Sequence, residues 1–170
     1  MRRVVFELTL FQGPAQRLDS EAVMAILLDA LVAANVVYLK HHPQTPSIYS
    51  GSVVYKRERP VPGAANACTT AQPRLREGIL AFGLDCQDLN AIPEVWKTIP
   101  FIFRDGWGDC EDLACARVAE YLRQGVPARP TFKWRVVGTM LVYHIMVELP
   151  GGRIEDPSRR LGMGGPWDVA

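Results

Sequence analysis

The segment from Asp109 to Asp156 constrains this chain most, because it carries start and stop signals for one helix and then three strands in succession. Asp109, Glu111 and Asp112 place acids in a first turn, where the helix dipole favours negative charge; Gly125 closes the helix and Pro127 cannot continue it. The spacing predicts a helix over Asp109 to Gln124, with Cys110, Ala114, Val118, Tyr121 and Leu122 on one face. Thr131 to Val137 and Met140 to Leu149 then alternate with the two-residue period of strands, and Arg153 to Asp156 makes a third strand, joined through Pro150-Gly151-Gly152. A helix followed by a run of antiparallel strands is an α+β layout, with the helix packed on one face of the sheet.

Upstream, Arg3 to Phe11 mixes β-branched and aromatic residues and stops at Gly13-Pro14, which reads as a strand ended by a turn. A core helix follows, capped by Asp19 or Ser20, with Val23, Ile26, Leu27, Ala30, Leu31 and Ala34 at helical spacing. From His41 to about Pro73 the chain is rich in Pro, Gly, Ser and Thr, interrupted at Ile48 to Tyr55 by a short strand pattern with Gly51 at a bulge. This stretch is either one wall of a substrate groove or a mobile insertion. A short helix is predicted around Leu89 to Lys97, ending near Pro100, before Phe101-Ile102-Phe103 leads into the turn-rich Arg104 to Gly108. Arg104 is expected to pair with a nearby acid and Trp134 to lie in the core.

With 170 residues, 48% of them hydrophobic and 22% charged, the chain fits a single domain over 1–170 that buries its own core. The formal net charge is +1 with both signs scattered, so no basic stripe points to nucleic acid. The longest apolar run, Ala22 to Tyr38, is broken by Asp29 and Asn35, so no membrane span is expected. Met1-Arg2-Arg3 precedes an alternating segment instead of a signal-peptide apolar stretch, which makes a cytoplasmic location the expectation.

The cysteines are Cys68, Cys86, Cys110 and Cys115, without a C-x-x-C spacing, and the histidines are His41, His42 and His144. A zinc site is not expected from that set, and in a reducing compartment the cysteines are thiols. Cys110 stands out by position. A cysteine attacks as the thiolate, and the first turn of a helix offers unpaired N–H groups and a positive dipole end. Its own amide is a candidate oxyanion donor, and the Trp107 indole is a candidate for a second; losing one such donor typically costs about 2.7 to 4 kcal/mol. Gly108 would let a substrate backbone approach closely. Against this, a free cysteine on a helix face is commonly a small buried hydrophobe, and the three neighbouring acids disfavour a thiolate unless something cationic offsets them.

A lone strand histidine is more often structural, but His144, mid-strand with Val142, Met146 and Glu148 on its face and alone among the histidines on a predicted regular element, is the candidate for the base such a thiol needs. Asp156 reaches that face only in one register. A two-residue Gly151-Gly152 loop would put it on the wrong side of the sheet. A three-residue loop, with Pro150 opening a type I turn and Gly152 left-handed, pairs Leu149 with Arg153 and Met146 with Asp156 and makes His144 a diagonal neighbour at roughly 7 to 8 Å. Taken by itself, Asp156 before Pro157 reads more simply as the cap of a turn.

Gly108-Asp109-Cys110-Glu111-Asp112-Leu113-Ala114, the helix ending Gly125-Val126-Pro127-Ala128, Tyr143-His144 and Glu155-Asp156-Pro157 together resemble the core of transglutaminase-like cysteine proteinases of bacteria and their phages. The match covers about Arg104 to Met163; the N-terminal half carries no family motif, and 164–170 is a tail. The Asp156 to Arg159 and Ser47 to Glu58 segments look most like small proteins of tailed phages and prophages. The resemblance implies a papain-like α+β fold, a thioester intermediate and a Cys-His-Asp triad at Cys110, His144 and Asp156, with no required cofactor. Some relatives bind calcium through the acids of this string, at positions matched by Asp109, Glu111 and Asp112; three acids in a first turn are also ordinary helix chemistry.

These readings imply hydrolysis of a peptide or amide bond in a protein or peptide substrate, or, with an amine acceptor, protein cross-linking. From a different class, the same fold would serve as an interaction module in a phage virion, tail or assembly protein, active or inactive, with other phage structural proteins as partners. A phage-encoded protein would act in the host cytoplasm or in the particle.

Overall fold

The structure is a computed structural model, and it describes residues 14–56, 96–137 and 140–164. The strand expected at Arg3 to Phe11, most of the Leu89 to Lys97 helix, the loop from 57 to Pro73, Cys68, Cys86, the Trp134 side chain and the 165–170 tail lie outside the described residues. The elements run α1 (Pro14–His41), β1 (Val54–Tyr55), α2 (Ile99–Asp105), β2 (Trp107–Gly108), α3 (Cys110–Arg123), β3 (Arg129–Val137), β4 (Met140–Leu149), β5 (Arg153–Glu155) and α4 (Pro157–Arg160). This is the α+β class. β3, β4 and β5 form an antiparallel sheet in that order, and β1 pairs with β2 in parallel. α3 packs against α1 and against β4.

α1 starts at Pro14 instead of after an Asp19 or Ser20 cap, because proline is well suited to the first helical position, where its missing N–H has no partner anyway. Its buried face is also rotated from the expected one. Met24, Leu28, Leu31, Val32, Asn35 and Leu39 are buried, whereas Ala30 and Ala34 are exposed and Ile26 is 68% exposed. Residues Met24–His41 have a mean hydropathy of 1.4 over 18 residues, long and apolar enough by composition to cross a membrane. Asn35 in fact faces inward, where its side-chain oxygen accepts the Ile99 N–H at 2.8 Å.

The chain around 48–52 is turns, so Gly51, at φ 99, sits in a turn and not at a bulge, and the strand shrinks to Val54–Tyr55. It is nonetheless held on both sides: Val54 and Lys56 donate to the Gly106 and Gly108 carbonyls, and Tyr55 donates to Leu161 at 2.9 Å. Pro100 opens α2 where it was expected to end a helix, so Phe101-Ile102-Phe103 is helical. Gly106, left-handed at φ 72, ends α2 and returns its N–H to Ile102. Leu39, Ile48, Val53, Ile99, Ile102, Leu113, Ala116 and Ala119 form the core beneath α3. Each large apolar side chain there contributes about 1.5 to 3 kcal/mol of burial.

Candidate active site

α3 begins and ends as its sequence dictates. Asp109 is the N-cap, and it exchanges hydrogen bonds with Asp112 in a capping box; Gly125, at φ 74, lies just past the C-terminus. Cys110 is thus the first helical residue, at a position with no intrahelical acceptor for its N–H. Its thiol is not in a disulfide and is partly exposed. Ala114 and Val118 are buried as expected, but Leu122 is 40% exposed.

The acids around Cys110 are buried. Asp112 accepts the Lys97 N–H at 2.6 Å and the Asp109 N–H at 3.5 Å, and burial pushes its carboxyl up to about 7 against the pull of the Lys97 hydrogen bond and charge. Glu111 is 2% exposed and its Oε2 accepts from the Cys110 thiol, with Sγ at 3.1 Å. Gly108 faces Asp112 and Leu113, where a Cβ would lie 3.0 Å from the Asp112 Cβ. It packs closely under the first turn of α3.

The three-residue connection Pro150–Gly152 pairs Leu149 with Arg153 and Val147 with Glu155, the register that places Asp156 on the face of His144. The turn chemistry differs from a type I opening. Gly151 is left-handed as well as Gly152, and its φ 78, ψ 12 matches the third residue of a type II turn. His144 is buried, and its Nε2 lies 2.8 Å from Asp156 Oδ2. The other oxygen, Oδ1, accepts the Arg159 N–H at 3.1 Å and caps α4. The orienting and capping roles of Asp156 are therefore compatible, one per oxygen. Burial raises its pKa, but the His144 hydrogen bond and the Arg159 N–H outweigh that and hold the carboxyl below its usual value. An ionised carboxylate only accepts, so His144 Nε2 carries the proton and Nδ1 is the basic nitrogen.

No protein-family model, curated protein or solved structure matches this chain.

Trp107, the second oxyanion candidate, lies in β2 with the Lys56 and Lys97 ammonium groups over its ring. Arg104 pairs with Asp105 at 2.7 Å, as expected of it. Among the described residues no three His, Cys, Asp or Glu side chains are grouped to hold a metal ion, and this includes Asp109, Glu111 and Asp112, which match the calcium-binding positions of some proteins the chain resembles. Asp112 is spent on backbone N–H groups and Glu111 on the thiol. Cys115 is fully buried, its Sγ 3.7 Å from the Leu28 carbonyl, and burial raises its pKa well above that of an ordinary thiol.

A second polar cluster is not anticipated by the sequence patterns. Glu155 accepts from Tyr49 and Tyr121 hydroxyls at 2.5 Å each and from Arg117 at 2.9 Å. Arg117 also donates to Glu120 at 2.7 Å, and Glu120 accepts from the Ser47 hydroxyl and the Ile48 N–H. The visible signal is Glu120, an acid amid the buried Val118 and Ala119, which requires a partner.

Proposed function

We propose that this chain is a cysteine-dependent acyl-transfer enzyme with a transglutaminase-like, papain-like core, acting on a peptide or amide bond through a thioester on Cys110. The 2.8 Å contact of His144 Nε2 with Asp156 carries the reading, because it leaves Nδ1 as the base. His144 takes the Cys110 proton, and the sulfur attacks the carbonyl carbon. The charge that develops on the carbonyl oxygen is met by the Cys110 amide at the N-terminus of α3. Protonated His144 then passes its proton to the departing amine as the C–N bond breaks, leaving the thioester. Water, deprotonated by His144, releases the acid; an amine acceptor would instead give cross-linking.

Glu111 sharpens the demand on His144. Its side-chain oxygen accepts a hydrogen bond from the thiol, and a negative charge there opposes a resting thiolate, so activation falls to the histidine. The same observation favours a second reading in which Cys110 stays a thiol and the fold serves as an interaction module; that the module belongs to a phage structural protein rests on the resemblance alone.

An activated ester distinguishes them. A burst of released phenol equal to the protein concentration, with the acyl group on Cys110 by mass spectrometry, supports the enzyme; Cys110→Ala should abolish the burst and His144→Ala should slow it about 100-fold or more. Acylation no faster than that of a free thiol peptide would leave the module.

A further inference from the structure

The chain places Glu155 and Asp156 side by side, and their carboxylates do different work. Glu155 ends β5 and Asp156 continues in extended conformation at φ −113, ψ 95, so the two side chains leave opposite faces of the strand. On one face Asp156 meets His144. On the other, Glu155 is fastened to α3 by Arg117 and Tyr121 and to the turn after α1 by Tyr49. Arg117 stands seven residues beyond Cys110, about 10 Å along the helix. β5 itself is short: its ladder to β4 ends at Val147 and Glu155, so no strand pair holds Asp156. Where the ladder stops, the fastening at Glu155 continues on one side of Asp156, and the cap of α4, through the Arg159 N–H, on the other.

The charges agree with a permanent clamp. Burial works against ionised Glu155, but the Tyr121, Tyr49 and Arg117 hydrogen bonds outweigh it and lower its pKa; burial likewise opposes the Arg117 charge, and Glu120 and Glu155 outweigh that. Arg117 stacks on the Tyr121 ring at 4.0 Å, and Arg160 of α4 stacks on the Tyr49 ring at 3.9 Å. We propose that Glu155 is a positioning residue: it fixes Asp156, and through it His144, relative to the helix that carries Cys110. Its purpose rests on the acyl-transfer reading, but its test does not.

The test tracks the Nε2 proton of His144 by NMR in protein carrying ¹⁵N-histidine, assigned by its loss in His144→Ala. Glu155→Gln should keep the fold by circular dichroism yet speed exchange of this proton about tenfold or more. Asp156→Asn should do the same, and the double variant should go no further than Asp156→Asn alone, since both act through one contact. Should the Gln variant not fold, Tyr121→Phe, which removes one bond to Glu155 and keeps the ring, should accelerate exchange in the same direction by less. Variants that lower the melting temperature while His144 exchanges as in the wild type would overturn the proposal. Failure of the acyl-transfer reading would show elsewhere, as Cys110 reactivity indifferent to His144.

Discussion

Two groups of acids sit along α3, and they are satisfied in different ways. At its first turn, Asp112 is held by backbone N–H groups and Glu111 by a thiol, and burial leaves the Asp112 carboxyl near 7. At its middle, Glu120 and the facing Glu155 share the Arg117 guanidinium, and Glu155 is held ionised. The arginine holds Glu155 to its charge, whereas at Asp112 burial outweighs the amide hydrogen bonds that favour the charged form. The middle of the helix is thus a fixed clamp, and the first turn is electrically adjustable, next to the candidate nucleophile.

Breaking the clamp should have the largest effect. Arg117→Met removes the cationic partner of Glu120, which is 1% exposed and keeps only the Ser47 hydroxyl and Ile48 N–H, and should cost about 3 to 5 kcal/mol in urea unfolding; a loss under about 1 kcal/mol would mean that the clamp is ornamental. Asp112→Ala removes half of the capping box and leaves the buried Lys97 N–H without its acceptor, for a cost of about 2 kcal/mol by the same measurement. Gly108→Ala forces a Cβ to within 3.0 Å of the Asp112 Cβ and 3.2 Å of a Leu113 methyl, and should cost about 1 to 2 kcal/mol.

Stability against pH should separate the two groups with opposite slopes. Asp112 has a folded pKa raised to about 7 from 3.8, so its contribution is complete below about 4 and is lost as pH rises to 7. Glu155 and Asp156 have lowered folded pKa values, so theirs is present above the usual values of 4.5 and 3.8 and is lost as pH falls through the folded ones. Asp112→Asn should flatten the decline between about 4 and 7, and Glu155→Gln should soften the acid limb. An unchanged curve for either would count against its assignment.

The features legible in the sequence are local. Gly125, Pro127 and the acids after Asp109 delimit α3 by themselves, and Pro150-Gly151-Gly152 leaves two registers of β4 against β5, of which the three-residue loop, the one adopted, brings Asp156 to the face of His144. The face of α1 is not legible, because a helix apolar nearly all round gives periodicity nothing to choose between. The choice is made by distant contacts, among them the Asn35 bond to Ile99. Pro100 is ambiguous for a related reason: proline suits the first turn of a helix as well as the chain just past a helix end. The clamp joins Glu155 to Tyr49 across 106 residues, and no spacing rule reaches that far.

The central claim is that His144 activates Cys110, and the rate of Cys110 alkylation by iodoacetamide against pH tests it most directly. Cys115, fully buried, should label only on unfolding and so serves as an internal control. The account predicts labelling of Cys110 well below pH 8, slowed by His144→Ala. A profile like that of an ordinary free thiol, unchanged by His144→Ala, would contradict it.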